Sequence, residues 1–363
     1  MTSAPVARGG DGAGSGPALV VRAGIRSSLL LFGANVLARL PEAPLVAAAE
    51  SIGEIWYRIS PARAAQARAN LRRVCEGLDA QGRGSRLARR AATDPEALEQ
   101  LVRRAYRHAV RYYLEVARTG SLVVAEATAR IDIETPDEVR DALMSGQQVM
   151  IVGLHFGALE LPAIVLSGMI GRNVTAPMEA VADPALQRWF METRGRVGVN
   201  IVPVADARRA LMRAIRRGES VGMVADRDIM GNGLLVPLFG HPAPIPAGPA
   251  LLAVETGLPV YVGSARRKKG GRYAGKLILV DAPLNGTRRE RVTALTAAIA
   301  VAFESIIADA PEQWWGAFQA IWPDLDQAGV GDTHAGGSAA QPPEAEAMPN
   351  AGTPTTGTLE EPA

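Results

Sequence analysis

The chain has 363 residues, 48% hydrophobic and 21% charged, with a formal net charge of +2. That length gives ample core for one large α/β domain or two smaller ones. A single cysteine, Cys75, excludes an intramolecular disulfide and is compatible with a reducing compartment; the four scattered histidines form no metal-ligand cluster, and neither a Gly-x-x-x-x-Gly-Lys-Ser/Thr loop nor a dinucleotide fingerprint is present.

The first two dozen residues, rich in Gly, Ala and Ser, read as a disordered N-terminus over 1–24. Residues 17–40 are apolar but interrupted by Arg22, Arg26 and Arg39, and the cleanest run, 27–38, is about half of the ~20 residues a membrane span needs. No small-residue cleavage site follows a basic start, which argues against a secretory signal. The pattern fits an amphipathic helix lying in a membrane surface with Leu29, Leu30, Phe32, Val36 and Leu37 toward lipid. Packing of the same helix on the domain's own core is the competing expectation. A second apolar segment over 41–56 and further helices to Arg118 complete a helical, membrane-associating region over 25–133. Between Arg58 and Arg118 there are fourteen arginines and six acids, a local excess of +8 (14 − 6). Such a region could meet an anionic membrane surface or an acyl-carrier protein, or form a solvated helix face. Nucleic acid is not expected, because no recognised binding module accompanies the charge.

From 134 to 326 the pattern alternates. Strands are expected at 148–154, 173–178, 200–204, 220–225, 234–239, 259–265 and 276–280, with helices at 184–196, 206–217 and 247–255. Gly171, Gly218 and Gly257 stand where helices should stop. Strands alternating with helices argue for a layered α/β sheet. The remainder, 327–363, reads as a disordered acidic tail; from Ala328 onward it holds five acids and neither lysine nor arginine.

The most informative stretch is Val149-Met-Ile-Val-Gly-Leu-His155-Phe-Gly-Ala-Leu-Glu160. The apolar run reads as a strand covered on both faces, and a helix is expected to begin just past the histidine. On one regular helix, residues five apart point well away from each other. His155 and Glu160 can therefore meet only if the histidine lies in the turn before the helix. A carboxylate on one imidazole nitrogen leaves the other free to take a proton from a hydroxyl. Taken alone, a histidine after a strand is more often structural than catalytic.

The motif His155-x-x-x-x-Glu160, followed by Val224-Ala-Asp226-Arg227-Asp228 and by Val236-Pro-Leu-Phe239-Gly240-His-Pro242-Ala-Pro-Ile-Pro246-Ala-Gly248-Pro-Ala250, resembles the bacterial lipid A lauroyl/myristoyl-type acyltransferases. The Asp-Arg-Asp spelling and the Pro-Ala-Gly-Pro-Ala run are most similar to the phosphatidylinositol mannoside branch. Asn70-Leu-Arg-Arg-Val74 and Pro311-Glu-Gln-Trp314-Trp315 also match, so the resemblance covers roughly residues 25 to 323. It implies a glycerolipid-acyltransferase-like mixed sheet flanked by helices. It also implies no cofactor beyond acyl-CoA or acyl-carrier protein as co-substrate, and a place on the cytoplasmic face of the plasma membrane, peripheral or monotopic. The acceptor it implies is a membrane glycolipid.

Site roles follow from the residues and the resemblance together. His155 is the candidate general base, with Glu160 or Asp226 orienting it; the sequence leaves both carboxylates open. Arg194 matches a basic family position beside the pocket, where a guanidinium suits a phosphate; Arg196 competes for that assignment, and a cation at a helix C-terminus explains either one as well. Arg227 and Asp228 are candidate substrate contacts, or an exposed turn with an internal pair. Pro246-Ala-Gly248 reads as a helix start that, in the family, borders the active-site groove. Trp314 and Trp315 are expected to pack, since indole offers only a donor. No Gly-x-Ser-x-Gly elbow is present, so the hydroxyl is expected to attack the thioester directly. Lipid A precursor or a lysophospholipid are alternative acceptors, and a catalytically inactive lipid-binding protein is the alternative of another class.

Overall fold

The computed structural model describes residues 17–326, except 172 and 182. The segments expected to be disordered, 1–24 and 327–363, therefore lie outside the described residues apart from 17–24. Those eight residues are helical: the helix begins at Pro17, a residue preset for a first helical turn, and runs on through Arg22 and Arg26 to Arg39.

Helix α1 (Pro17–Arg39) is followed by α2 (Glu42–Ile59), α3 (Pro61–Ala80), α4 (Arg86–Arg90), α5 (Pro95–Arg118) and α6 (Val124–Ala129). The chain then enters the sheet layer with β1 (Ile131–Ile133), α7 (Asp137–Met144), β2 (Met150–Gly153), α8 (Leu161–Ile170), β3 (Val174–Met178), α9 (Pro184–Arg196) and β4 (Val199–Pro203). It continues through α10 (Ala207–Arg216), β5 (Ser220–Val224), β6 (Leu234–Leu238), β7 (His241–Ile245), α11 (Gly248–Thr256), β8 (Val260–Arg267), β9 (Tyr273–Val280) and α12 (Arg288–Asp309).

Seven strands form a mixed sheet in the order β1-β9-β8-β2-β5-β3-β4, parallel throughout except where β9 runs against β8. Strand β2 lies near its middle and shows why its sequence is apolar without alternation. Met150, Val152 and Leu154 join the large core under α3, α5 and α12, while Val149 and Ile151 join a second core under α7 and α8. Gly171 and Gly257 end α8 and α11 in the left-handed conformation, and Gly218, also at positive φ, follows α10.

Two strands depart from expectation. Strand β1 lies within the segment expected to be helical, but it pairs with β9, whose partner residues stand 142 positions later and supply no local signal. Strand β7 contains Pro242 and Pro244, which speak against a strand; it is tolerated because β7 pairs only with β6, in a separate two-stranded ribbon. The ribbon turns at Phe239 (φ 50) and Gly240, and the buried Glu304 carboxylate accepts the Phe239 amide. The helix after it starts at Gly248 with Pro249 in its first turn, so Pro246 belongs to the linker and not to the helix.

Much of the arginine excess is engaged in pairing. Arg103 and Arg107 of α5 reach Glu54 on α2, Arg111 reaches Glu50, and Arg118 donates to the carbonyls of Leu37 and Leu40 at the end of α1. The segment after α12 is anchored to α3. Buried Asn70 donates to the carbonyls of Ala317 (2.8 Å) and Gln319 (2.6 Å), and Arg73 is bidentate to Asp324. Helix α12 is long and apolar enough to cross a membrane, but most of its apolar stretch is buried, so its composition is that of a core helix.

Candidate active site

Parallel register builds the centre of the site. Gly153 of β2 pairs with Val224 of β5, and His155 and Asp226 each stand two residues further on, so the two side chains emerge side by side at the carboxyl edge of the sheet. Open α/β sheets place their ligands at this edge. His155 Nδ1 lies 2.6 Å from Asp226 Oδ1, and the His155 amide donates to Asp226 Oδ2 at 3.0 Å. Asp226 is 2% exposed, against 14% for the His155 side chain. Burial alone would raise the Asp226 carboxyl, but the charge and hydrogen bonds of His155, with the indole N–H of Trp314, outweigh it and hold the carboxyl below the usual carboxylate range. The carboxylate assigns the Nδ1–H tautomer, which leaves the Nε2 lone pair free. Among the described residues Nε2 has no hydrogen-bond partner.

The turn that carries His155 is held from three sides. Gly157 sits at φ 55, and a Cβ there would stand 2.2 Å from the Ala265 carbonyl oxygen, so only glycine fits. Its amide donates to Gln313 (3.0 Å), the next amide donates to Ala265 (2.9 Å), and Arg267 Nη2 donates to the Gly157 carbonyl (2.8 Å). Arg267, almost wholly buried, is bidentate to Glu115 of α5. The Trp315 amide donates to the His155 carbonyl at 2.9 Å, and its ring meets the imidazole edge-on at 4.4 Å between centroids.

Of the two carboxylates that the sequence left open, Asp226 makes the contact with His155. Glu160 instead lies just before α8 and accepts two hydrogen bonds from Arg194, 2.9 Å from Nε and 2.6 Å from Nη2. Arg194 is buried, stands over the Phe190 ring and places Nη1 3.0 Å from Met178 Sδ. Burial works to lower its pKa, and the Glu160 carboxylate more than reverses this and raises it. With its fork closed on Glu160, Arg194 is a structural partner of the motif glutamate; a phosphate contact would require breaking that pair. Arg196 is exposed in the last turn of the same helix.

Arg227 is half-buried and, among the described residues, has only a long 4.0 Å ion pair to Glu179. Asp228 accepts from the amides of Asn232 (3.2 Å) and Gly233 (2.7 Å), which makes it the organiser of its own turn. Gly248 opens α11, and a Cβ there would meet nothing within 4 Å, so no close approach of protein explains it. Cys75 is buried in the core with its thiol pushed up to about 12, by burial and then by Glu312 and Glu76. No cluster of potential metal ligands occurs among the described residues.

Sequence reasoning missed one functional contact, the indole of Trp314, whose Nε1–H donates to Asp226 Oδ2 at 2.9 Å. The available signal was the residue type itself: a buried indole N–H usually finds an acceptor. An apolar groove of about 340 Å³ opens one layer from the histidine, between α1, α2, α5 and α9. Its wall residues Tyr113, Val116 and Phe190 belong to the cluster that includes Trp315, the ring packed on His155.

A histidine backed by a buried carboxylate at the carboxyl edge of a largely parallel sheet, one layer from an apolar groove, makes up the candidate site. The chain belongs to the bacterial lipid A biosynthesis acyltransferase family, whose model matches residues 18–319. It is 27% identical over 223 residues to a phosphatidylinositol mannoside acyltransferase of Mycolicibacterium smegmatis, covering 60% of this chain and 70% of the relative. The protein of the same name from Mycobacterium tuberculosis is 29% identical over 213 residues, covering 56% and 65%. A lipid A biosynthesis palmitoleoyltransferase of Escherichia coli is 32% identical over 106 residues, covering 28% and 32%.

Proposed function

We propose that this acyltransferase moves a fatty acyl chain from a thioester donor, acyl-CoA or acyl-carrier protein, to a hydroxyl of a phosphatidylinositol mannoside. The observation that carries the reaction type is His155, backed by Asp226 at 2.6 Å and with Nε2 open. In the first step His155 Nε2 takes the hydroxyl proton as the oxygen attacks the thioester carbon. Asp226 holds the tautomer and stabilises the imidazolium that forms. In the second step the tetrahedral intermediate collapses, the C–S bond breaks, and the proton on Nε2 passes to the departing sulfur. The products are an ester and a free thiol. Glu160 and Arg194 fix one another beside the histidine turn; Arg227, half-buried with only a distant partner, is the cation assigned to a phosphate of donor or acceptor, and Arg196 an outer one. Asp228 and Gly248 shape the loop and the helix start that border the site.

The acceptor assignment rests on the names of the mycobacterial relatives and on the matching Asp-Arg-Asp spelling. The groove supports a lipid substrate, since its volume lies within the ~300–1,000 Å³ range of ligand pockets and its lining is almost wholly apolar. The same surface supports membrane docking. Leu29, Leu30 and Phe32 on α1 and Ile52, Ile55 and Ile59 on α2 are exposed, and several of them line the groove mouth. A bilayer covering this face on the cytoplasmic side would deliver lipid chains straight to the groove.

The test is transfer from palmitoyl-CoA to a mannosylated phosphatidylinositol by the purified protein, beside His155→Ala. Product made by the wild type and lost in the variant supports reaction, acceptor and base together. Activity on a lipid A precursor or a lysophospholipid alone would move the acceptor and keep the mechanism. Liposome binding with no transfer to any acceptor, from either donor type, would leave a lipid-binding protein.

A further inference from the structure

We infer that Trp314 is a positioning residue of the reaction: its indole N–H fixes the carboxylate of Asp226, and through it the tautomer and orientation of His155. The inference rests on the reading of His155 as general base. Asp226 presents two oxygens to three donors. Oδ1 faces His155 Nδ1, and Oδ2 accepts both the His155 amide (3.0 Å) and Trp314 Nε1 (2.9 Å). The two bonds on Oδ2 define the carboxylate plane and so aim Oδ1 at the imidazole. The amide alone would leave the carboxylate free to turn about one contact.

The surroundings are arranged for this bond. At Gly316 a Cβ would stand 2.6 Å from Trp314 Nε1 and 2.7 Å from Asp226 Oδ2, so the missing side chain is what admits the hydrogen bond. Phe156, next to the histidine, forms an isolated bridge with Trp314, and the amides of Trp315 and Gly316 both reach the His155 carbonyl, at 2.9 and 3.3 Å. One short segment, 313–316, therefore grips His155 by its backbone and Asp226 by its side chain. The chain that follows it is anchored to α3, where Asn70 donates to the carbonyls of Ala317 and Gln319 and Arg73 pairs with Asp324. Trp322 supplies the control: equally buried, packed edge-on against Trp314 at 6.2 Å, but with an N–H that has no partner among the described residues.

The experiment compares Trp314→Phe, Gly316→Ala and Trp322→Phe in the full chain, each checked for folding by circular dichroism. Trp314→Phe deletes the donor, and Gly316→Ala pushes a methyl into the same bond. Both should lower kcat about ten- to hundred-fold with KM little changed, the scale of one hydrogen bond to a charged group. Both should also move the acid limb of the kcat/KM profile to higher pH, since the lost N–H no longer favours the ionised carboxylate. Trp322→Phe should do neither. A second readout does not need turnover. In proton NMR in water, the imidazole Nδ1–H resonance that His155→Ala deletes should persist in Trp322→Phe and broaden by solvent exchange in Trp314→Phe. Wild-type kinetics in both Trp314→Phe and Gly316→Ala, or an unchanged resonance in both, would overturn the inference, as would equal effects from Trp322→Phe. A wild type inactive on all acceptors, or an active His155→Ala, would instead overturn the functional reading and leave the resonance to decide on Trp314.

Discussion

Asp226→Asn is the substitution whose effect the geometry specifies most fully. The buried carboxylate receives three donors: the imidazole Nδ1, the His155 amide and the Trp314 indole. Asparagine offers one oxygen and one NH2 in nearly the same volume. If its oxygen faced the imidazole, its NH2 would confront two N–H groups in a dry site, at about 1–3 kcal/mol for each donor left unpaired. The other orientation wins: the oxygen keeps the indole and the amide, and the NH2 faces Nδ1. Nδ1 must then accept, and the imidazole proton moves to Nε2, the nitrogen that has to act as base. The fold is kept and the base is lost. A wrong tautomer of this kind costs ~10⁴ in kcat in the serine-protease triad, or about 5.4 kcal/mol at 1.36 kcal/mol per decade. We expect a loss of about 10³–10⁴ here, read as thiol release from palmitoyl-CoA in the presence of acceptor, with KM nearly unchanged. The variant should also be less sensitive to acid. In the wild type the folded carboxyl is held below its usual value, so its contribution to stability is present above the unfolded pKa of about 3.9 and lost as pH falls through the folded one. An Asp226→Asn enzyme within about tenfold of wild-type kcat would refute the tautomer argument.

Four further outcomes follow. Arg194→Ala strands the Glu160 carboxylate, 18% exposed, without its buried partner, and should cost about 3 kcal/mol, visible as a lower urea midpoint; an unchanged midpoint would show that the pair contributes nothing. Gly157→Ala should give an inactive protein with a depressed melting temperature, because both φ 55 and the 2.2 Å approach to the Ala265 carbonyl exclude a side chain; wild-type activity in this variant would refute the account of the histidine turn. Leu29 and Phe32 are 65% and 68% exposed, so the double change to serine should weaken co-sedimentation with anionic liposomes at least about tenfold while turnover on detergent-dispersed acceptor persists. Equal sedimentation would remove α1 from the docking surface. The Cys75 thiol, pushed up to about 12 and buried, should ignore a thiol reagent at pH 8 until the protein is unfolded by denaturant; rapid labelling of the native protein would contradict its burial.

What the residues determined by themselves was everything set by local pattern. The apolar run before His155 made a strand because a doubly covered strand has no polar alternation, and Gly171 and Gly257 ended their helices because only glycine enters the left-handed region without strain. The histidine itself, the turn that carries it and the sheet edge where it emerges were legible for the same reason. Its partner was not. Glu160 is five residues away and Asp226 seventy-one, and the sequence left both open; the parallel pairing of Gly153 with Val224 is what brings Asp226 against the imidazole. Arg194 was open between a phosphate ligand and a helix-end cation until packing closed its fork on Glu160, and Trp314 packs in the core as expected while its N–H also meets an acceptor eighty-eight residues away. Strands β1 and β7 escaped notice because one owes its state to a distant partner and the other carries prolines that a single-partner ribbon tolerates. Contacts between remote segments are chosen by register and burial, which no short window of sequence contains, and His155 and Asp226 were joined by just such a contact.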